Sequence, residues 1–182
     1  MVCCRRVSRA GQSRPTSICQ ALGLPADRKY EQDAGPTLAR VAGVLQNVAE
    51  PTASEALLRA VTLNLAIGNC DAHGKNFSLL HIEAGALRLA PLYDLLSTRL
   101  YPLDETLAMY VDGIQKSDRV TAERIVNEAV EWGIARGTAE GTVADLLDRL
   151  PAAISTAADE TPGIPAALPE LVSRRVDQLL EK

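Results

Sequence analysis

The stretch GNCDAHGKNFSLLH, residues 68–81, decides how this chain reads. It places Asp71, His73, Lys75 and Asn76 within six residues, directly after an apolar run with helical spacing. FSLLHI is then short, apolar and strand-like, EAG is turn-like, and ALRLAPL forms a second short strand. A small β-hairpin is therefore expected between the polar cluster and YDLLST, which supplies Asp94. Asp and Asn are also common in plain turns, because their side chains bond their own backbone. The cluster alone fits a solvated turn as well as it fits a working loop.

The chemistry that needs these residue types in this order is phosphoryl transfer. It needs a carboxylate to orient an attacking hydroxyl and accept its proton, oxygen ligands that hold magnesium against phosphates, and positive charge to offset the transition state. Magnesium is a hard cation that takes carboxylate and amide oxygens. Asp71 is the candidate base, and Asn76, five residues on, is a candidate metal ligand. Lys75 can direct a charge at the phosphate. A hairpin returns the chain so that Asp94 becomes a second metal ligand beside Asn76. The order D-x-x-x-x-N, hairpin, Asp is that of kinase catalytic and metal loops.

Working outward, TLARVAGVLQNVA spaces Leu38, Val41, Leu45 and Val48 as a helix, with Pro36 suited to its first turn and Glu50-Pro51 ending it. A second helix is expected from about Thr52, where Glu55 three residues later completes a capping-box pattern. Its stripe of Leu57, Leu58, Val61, Leu65 and Ala66 is widened by Leu63 and Ile67, which predicts deep burial, and Gly68-Asn69 stops it. ICQALGLP reads as one helical turn, and LAMYVDG as a further extended piece. Three helical segments follow: TAERIVNEAVEWGI, TAEGTVADLLDRLPAAISTAAD and LPELVSRRVDQLLEK. Pro151 is expected to break or kink the middle one. Trp132 reads as core, and Arg174 and Arg175 as a solvated face. The fold class is mainly α with a small β-hairpin. No strand is expected ahead of residue 60.

The chain has 182 residues, enough for one domain with a real core. Hydrophobic residues at 47% against 23% charged fit a globular chain. A net charge of −4 argues against direct nucleic-acid binding, and aromatics at 3% argue against base stacking. Cys3, Cys4, Cys19 and Cys70 contain no C-x-x-C pair, so neither zinc nor a disulfide framework is expected, and reduced thiols in a cytoplasm fit best. No apolar run is long enough to suggest a membrane span. The first 26 residues hold no acid but carry Arg5, Arg6, Arg9 and Arg14. An organelle presequence shares that composition; the expectation is a disordered basic tail over residues 1–17, or a start codon set inside a longer ancestral gene.

NCDAHGKNFSLL followed by RLAPLYDLLST resembles the C-terminal lobe of the HipA-like serine/threonine kinase toxins, and CQALGLPADRKYEQDAGP resembles the stretch ahead of that lobe. The likeness runs over about residues 17–182, with domain bounds at 18–182. It implies a protein-kinase-like C-terminal lobe, ATP and Mg2+. It makes Asp71 the catalytic base, Asn76 and Asp94 the magnesium and cofactor ligands, and His73 and Lys75 members of the same catalytic loop. It implies a DNA-binding helix-turn-helix antitoxin as partner and a protein substrate of the aminoacyl-tRNA synthetase type.

The sequence departs from a complete kinase in having no Gly-rich phosphate-covering loop and no strand lysine ahead of Asp71. The expectation is a lobe whose N-terminal counterpart sits on a separate chain or is dispensable, with little activity alone. It should carry an exposed apolar patch bordered by the first helix and the hairpin. The alternative is an inactive remnant that binds an antitoxin or Mg-nucleotide without transfer.

Overall fold

The computed structural model of the chain describes residues 15–48, 52–81 and 87–181. The tail up to Arg14 with Cys3 and Cys4, the expected helix stop at Glu50-Pro51, and the expected hairpin turn lie outside the described residues.

The deepest element is α3 (Ala53–Ala66), with Leu57, Leu58, Val61, Leu65 and Ala66 all buried. The widened stripe explains this, because helices pack on α3 from several sides: α2 (Leu38–Val48), α5 (Arg136–Glu160) and α6 (Leu168–Leu180). The expected capping box is not formed. Thr52 is the cap residue but sits in the helical region of φ/ψ, where its hydroxyl makes no capping bond. Pro36 likewise lies one residue further out than expected. Thr37 caps α2, its Oγ1 accepting from the Arg40 N–H at 3.1 Å.

A short sheet leans on this helical body. β1 (Thr16–Ser17), β2 (Ser78–His81) and β3 (Leu87–Leu89) pair antiparallel in the order β1-β2-β3. The β2–β3 pair is the expected hairpin, in the register Leu79↔Leu89 and Leu80↔Arg88. β1 corrects two expectations. Thr16 and Ser17 are paired strand rather than tail, and a strand precedes residue 60. Ser17 also caps the single-turn α1 (Ile18–Ala21) through a reciprocal bond with Gln20. A second sheet pairs β4 (Thr106–Val111), the expected extended piece, with β5 (Ile114–Lys116).

Helices α4 (Ala122–Glu131), α5 and α6 close the other side. Helix α5 runs through Pro151 as one continuous helix. A proline there costs one intrahelical bond, and the rest of a 25-residue helix holds its course. Trp132 is buried, its Nε1 donating to Glu128 at 2.9 Å. Arg175 corrects the solvated-face reading: it is 2% exposed while Arg174 is open to solvent. It occupies the apolar stripe of α6 with Leu171, Val172, Val176 and Leu179. Its guanidinium donates to the Ser117 carbonyl at 3.1 Å and to Gln178 at 2.7 Å. Burial, with Arg99 nearby, lowers its pKa to about 10, so it stays charged at neutral pH.

Candidate functional site

The site begins where α3 ends. Gly68 adopts φ +71°, the left-handed conformation that glycine accepts without penalty. The Gly68 N–H donates to Leu65 at 3.2 Å and the Asn69 N–H to Asn64 at 2.8 Å, which is a Schellman ending. The chain leaves the helix in a fixed direction. Asn69 is the first buried hub: its Nδ2 donates to Asn64 Oδ1 at 2.7 Å, and its Oδ1 accepts from the Asp71 N–H at 3.1 Å. Cys70 is strapped on both sides, its N–H donating to Thr98 Oγ1 at 2.9 Å and its carbonyl accepting from Ala108 at 2.8 Å. Asp71 therefore stands at the surface on an immobilised backbone.

The next turn is closed by its own residues. The His73 N–H donates to the Asp71 carbonyl at 2.8 Å and to Asn76 Oδ1 at 2.9 Å, and the Asn76 N–H returns to the His73 carbonyl at 2.8 Å. The amide of Asn76 then reaches across the hairpin, its Nδ2 donating to Asp94 Oδ2 at 2.7 Å. Asn76 is buried and Asp94 exposed, so this contact lies at the rim of the site. Asp94 sits at φ +57°, a left-handed conformation that Asp tolerates better than most residues but that still stores strain. Beside it, the Tyr93 hydroxyl donates to the Lys75 carbonyl and accepts from Ser78 Oγ at 2.7 Å. Burial raises the Tyr93 pKa, which keeps that hydroxyl protonated as a donor.

Two residues of the PADRKYEQDAGP stretch, given no role in the sequence analysis, complete the wall. The Lys29 carbonyl accepts from the Gly74 N–H at 3.2 Å, and the edge of the Tyr30 ring meets the His73 ring at 5.4 Å between centroids. The Lys29 ammonium lies 4.6 Å from the Tyr30 ring centre. Its pKa is raised, first by Tyr30 and then by Asp71 and Asp94. Both carboxylates thus lie within electrostatic reach of one ammonium. Burial lowers the His73 pKa and Lys29 lowers it further, so His73 is neutral at neutral pH. The charge of Lys75 is felt at Cys19, whose thiol pKa burial raises. Cys19 and Cys70 are both free and buried.

The chemistry of this donor set fits magnesium. Asp94 offers a carboxylate, and Asn76 Oδ1 keeps a lone pair beyond the one used by His73. Magnesium typically takes one or two carboxylates and fills its other positions with water and substrate phosphates. Among the described residues no group of three or more His, Cys, Asp or Glu could hold a metal ion. A groove of about 320 Å³ opens beside Asp71, lined by Tyr30, Leu96, Leu103 and Leu107 among others. Tyr93, Leu95, Leu96, Tyr101 and Leu103 are exposed. These residues follow the hairpin in the chain, and Leu96 and Leu103 line the groove beside Asp71. No helix among the described residues is long and apolar enough to cross a membrane.

Comparison with known proteins places this geometry in a family. The model of the HipA-like C-terminal domain matches residues 3–154. A Sinorhizobium fredii protein named "Putative kinase Y4mE" is 36% identical over 79% of this chain and 35% of its own length. The "Serine/threonine-protein kinase toxin HipA" of Shewanella oneidensis is 28% identical over 75% of this chain and 34% of its own. A chain from the solved complex of the Shewanella oneidensis MR-1 toxin–antitoxin proteins HipA and HipB with operator DNA superposes with a TM-score of 0.77 at 25% identity. It covers 95% of this chain and 45% of that one. The chain spans about a third of the length of the curated relatives it matches.

Proposed function

The chain belongs to the HipA-like C-terminal domain family, and from that premise we propose that it carries the catalytic and metal-binding loops of an ATP-dependent serine/threonine protein kinase. On this reading the fold is a kinase-like C-terminal lobe over residues 18–182. The observation that carries the reading is the 2.7 Å contact between Asn76 and Asp94, made across the hairpin at the rim where Asp71 also stands. The kinase names of the relatives support it.

In this reading Asn76 and Asp94 would hold Mg2+, which when bound would supply charge to offset that of the phosphates of ATP. Asp71 accepts a hydrogen bond from a serine or threonine hydroxyl of the substrate protein lying in the adjacent groove. The hydroxyl oxygen bonds to the γ-phosphorus, the bond to the β–γ bridging oxygen breaks, ADP leaves, and the proton passes to Asp71. His73 holds the loop: its backbone N–H donates to the Asp71 carbonyl and to Asn76 Oδ1, and its ring packs on Tyr30. The element that covers the phosphates comes from polypeptide outside this sequence. The partners are a helix-turn-helix antitoxin, as HipB accompanies HipA in the solved relative, and a substrate protein of the aminoacyl-tRNA synthetase type.

Calorimetric titration of the purified chain with ATP in magnesium tests this. Binding that requires magnesium and weakens at least about tenfold in Asp94→Asn is expected, since a buried or bridging charge contact carries that much. Binding indifferent to magnesium and to Asp94→Asn overturns the assignment. In a radiolabelled-ATP assay the chain alone should transfer little; robust Asp71-dependent phosphorylation would remove the need for an outside covering element.

A further inference from the structure

The segment PADRKYEQDAGP, residues 25–36, passes in front of the catalytic loop and is fixed there at several points. The Tyr30 carbonyl accepts from Asp33 at 3.0 Å and from Gly35 at 2.8 Å, closing a tight turn. A Cβ at Gly35 would lie 2.4 Å from that same carbonyl oxygen, so only glycine fits. The Lys29 carbonyl takes the Gly74 N–H, and the Tyr30 ring is set edge-on against buried His73. Lys29 is thus clamped by its own backbone and by its neighbour's ring, with its ammonium at 4.6 Å from that ring's centre and half-exposed beside the loop. A lysine placed only for solubility needs none of this.

We propose that Lys29, held against the 71–76 loop by its carbonyl and by Tyr30, is the cation that meets the outermost phosphate of a magnesium-bound nucleoside triphosphate. The proposal rests on the kinase reading of the site and adds a phosphate-binding residue to it. Asp71 and Asp94 both help to hold the Lys29 pKa up, so the ammonium lies within electrostatic reach of the place where charge on a terminal phosphate would gather. Lys75, on the loop itself, has its backbone held by Tyr93 and its charge near Cys19. Lys29 arrives from outside the 71–76 loop and adds a second cation to the one that Lys75 carries on it. The cation–π contact leaves the ammonium hydrogens free to donate, and a phosphate oxygen is a stronger acceptor than the ring.

The test is equilibrium binding to the whole chain in three forms, wild type, Lys29→Met and Lys29→Arg, with melting curves to confirm folding. The probes are Mg-ATP, Mg-ADP and Mn2+ alone. Lys29→Met should weaken Mg-ATP by about tenfold, the weight of one charge-assisted hydrogen bond, and Mg-ADP by less than about twofold. Lys29→Arg should recover most of the loss. Removing the ammonium should tighten Mn2+ alone by about threefold, because a like charge facing the carboxylates is gone. Equal loss for ATP and ADP, or Mn2+ affinity unchanged in Lys29→Met, overturns the assignment of Lys29. Wild type that binds Mn2+ but no nucleotide overturns the kinase reading while the Mn2+ arm still reports whether Lys29 faces the carboxylates. Failure of wild type to bind either ligand overturns both.

Discussion

Replacing Gly74 by alanine adds one methyl group where the structure leaves no room. The new Cβ would lie 2.3 Å from Pro36 Cγ, 2.9 Å from Cys19 Sγ and 3.0 Å from Pro36 Cδ. Comfortable carbon–carbon contact begins at about 3.5 Å, so Pro36 or the loop must retreat by about 1 Å. Pro36 cannot swing away by a side-chain rotation, and the glycine before it is pressed on Tyr30. Gly74 is not in the left-handed region, so backbone strain plays no part. Overpacking of this kind costs about 1–3 kcal/mol, a fall in Tm of about 2–12 °C for a chain of this size. Gly43 gives the matched control. It lies inside α2 with nothing within 4 Å of its added Cβ, so alanine there should gain about 0.5–1 kcal/mol of helix stability. Thermal melts followed by far-ultraviolet circular dichroism compare the two. Opposite shifts are expected; a Gly74→Ala protein melting with wild type would show that the approach of Pro36 to the loop is wrong.

Asn69→Ala should cost about 2 kcal/mol, because it leaves buried Asn64 Oδ1 without its donor and the Asp71 N–H without its acceptor; urea titration reads it, and a loss under about 0.5 kcal/mol would refute the hub role. Arg175→Ala should cost about 2–4 kcal/mol through lost packing, whereas Arg175→Met, which keeps volume and removes a buried charge beside Arg99, should cost less. Equal losses would mean that the bonds to Ser117 and Gln178, not volume, hold α6. His73 gives a pH dependence. Its folded pKa lies below the unfolded value, so the unfolded chain takes up the proton first as pH falls. Its contribution is complete above about pH 6.5 and declines below it, by at most about 1.4 kcal/mol per pH unit. Urea midpoints measured across that range should flatten in His73→Gln, and an unchanged slope would exclude His73 as its source.

The parts of the fold that were legible are those where one local signal had no competitor. The stripe of α3, the stop at Gly68-Asn69 and the β2–β3 hairpin follow from periodicity and turn chemistry. The misreadings have particular causes. Thr52 and Glu55 match a capping box, yet the hydroxyl needs an extended Thr52 and the chain enters α3 already helical. Thr16 and Ser17 carry no strand signal, because two residues have no period; the β2 edge recruits them. Arg175 lies on the apolar stripe of α6, a position that could have flagged it, but its partner is a turn 58 residues away. At the site, residues 71–76 and Asp94 stand in a readable order. Lys29, Tyr30, Asn64 and Asn69 do not, since their roles arise only when distant segments are brought against the loop.

These attachments argue that the two halves of the site differ in rigidity. The half built on the 71–76 loop is held from several directions: Asn69 ties it to α3, Cys70 is bonded to Thr98 and to β4, and the Ile18 N–H donates to the Phe77 carbonyl at 2.8 Å. The opposite side presents Leu95, Leu96, Tyr101 and Leu103, which lie open. Rigid ligand placement is what electrostatic stabilisation of a transferring phosphoryl group requires, because donors that must reorganise lose most of their effect. An uncovered apolar run is what a docking protein requires, because burying it supplies the association energy. The Asn76–Asp94 contact, with Asp94 at φ +57°, is therefore sustained by the folded chain itself, while on the proposed kinase reading closure over the phosphates would depend on a polypeptide covering Leu95 to Leu103. If so, Mg2+ or Mn2+ affinity belongs to this chain alone. Nucleotide affinity should rise when a covering polypeptide is added, and mutating Leu96 and Leu103 to serine should abolish that rise without altering metal binding.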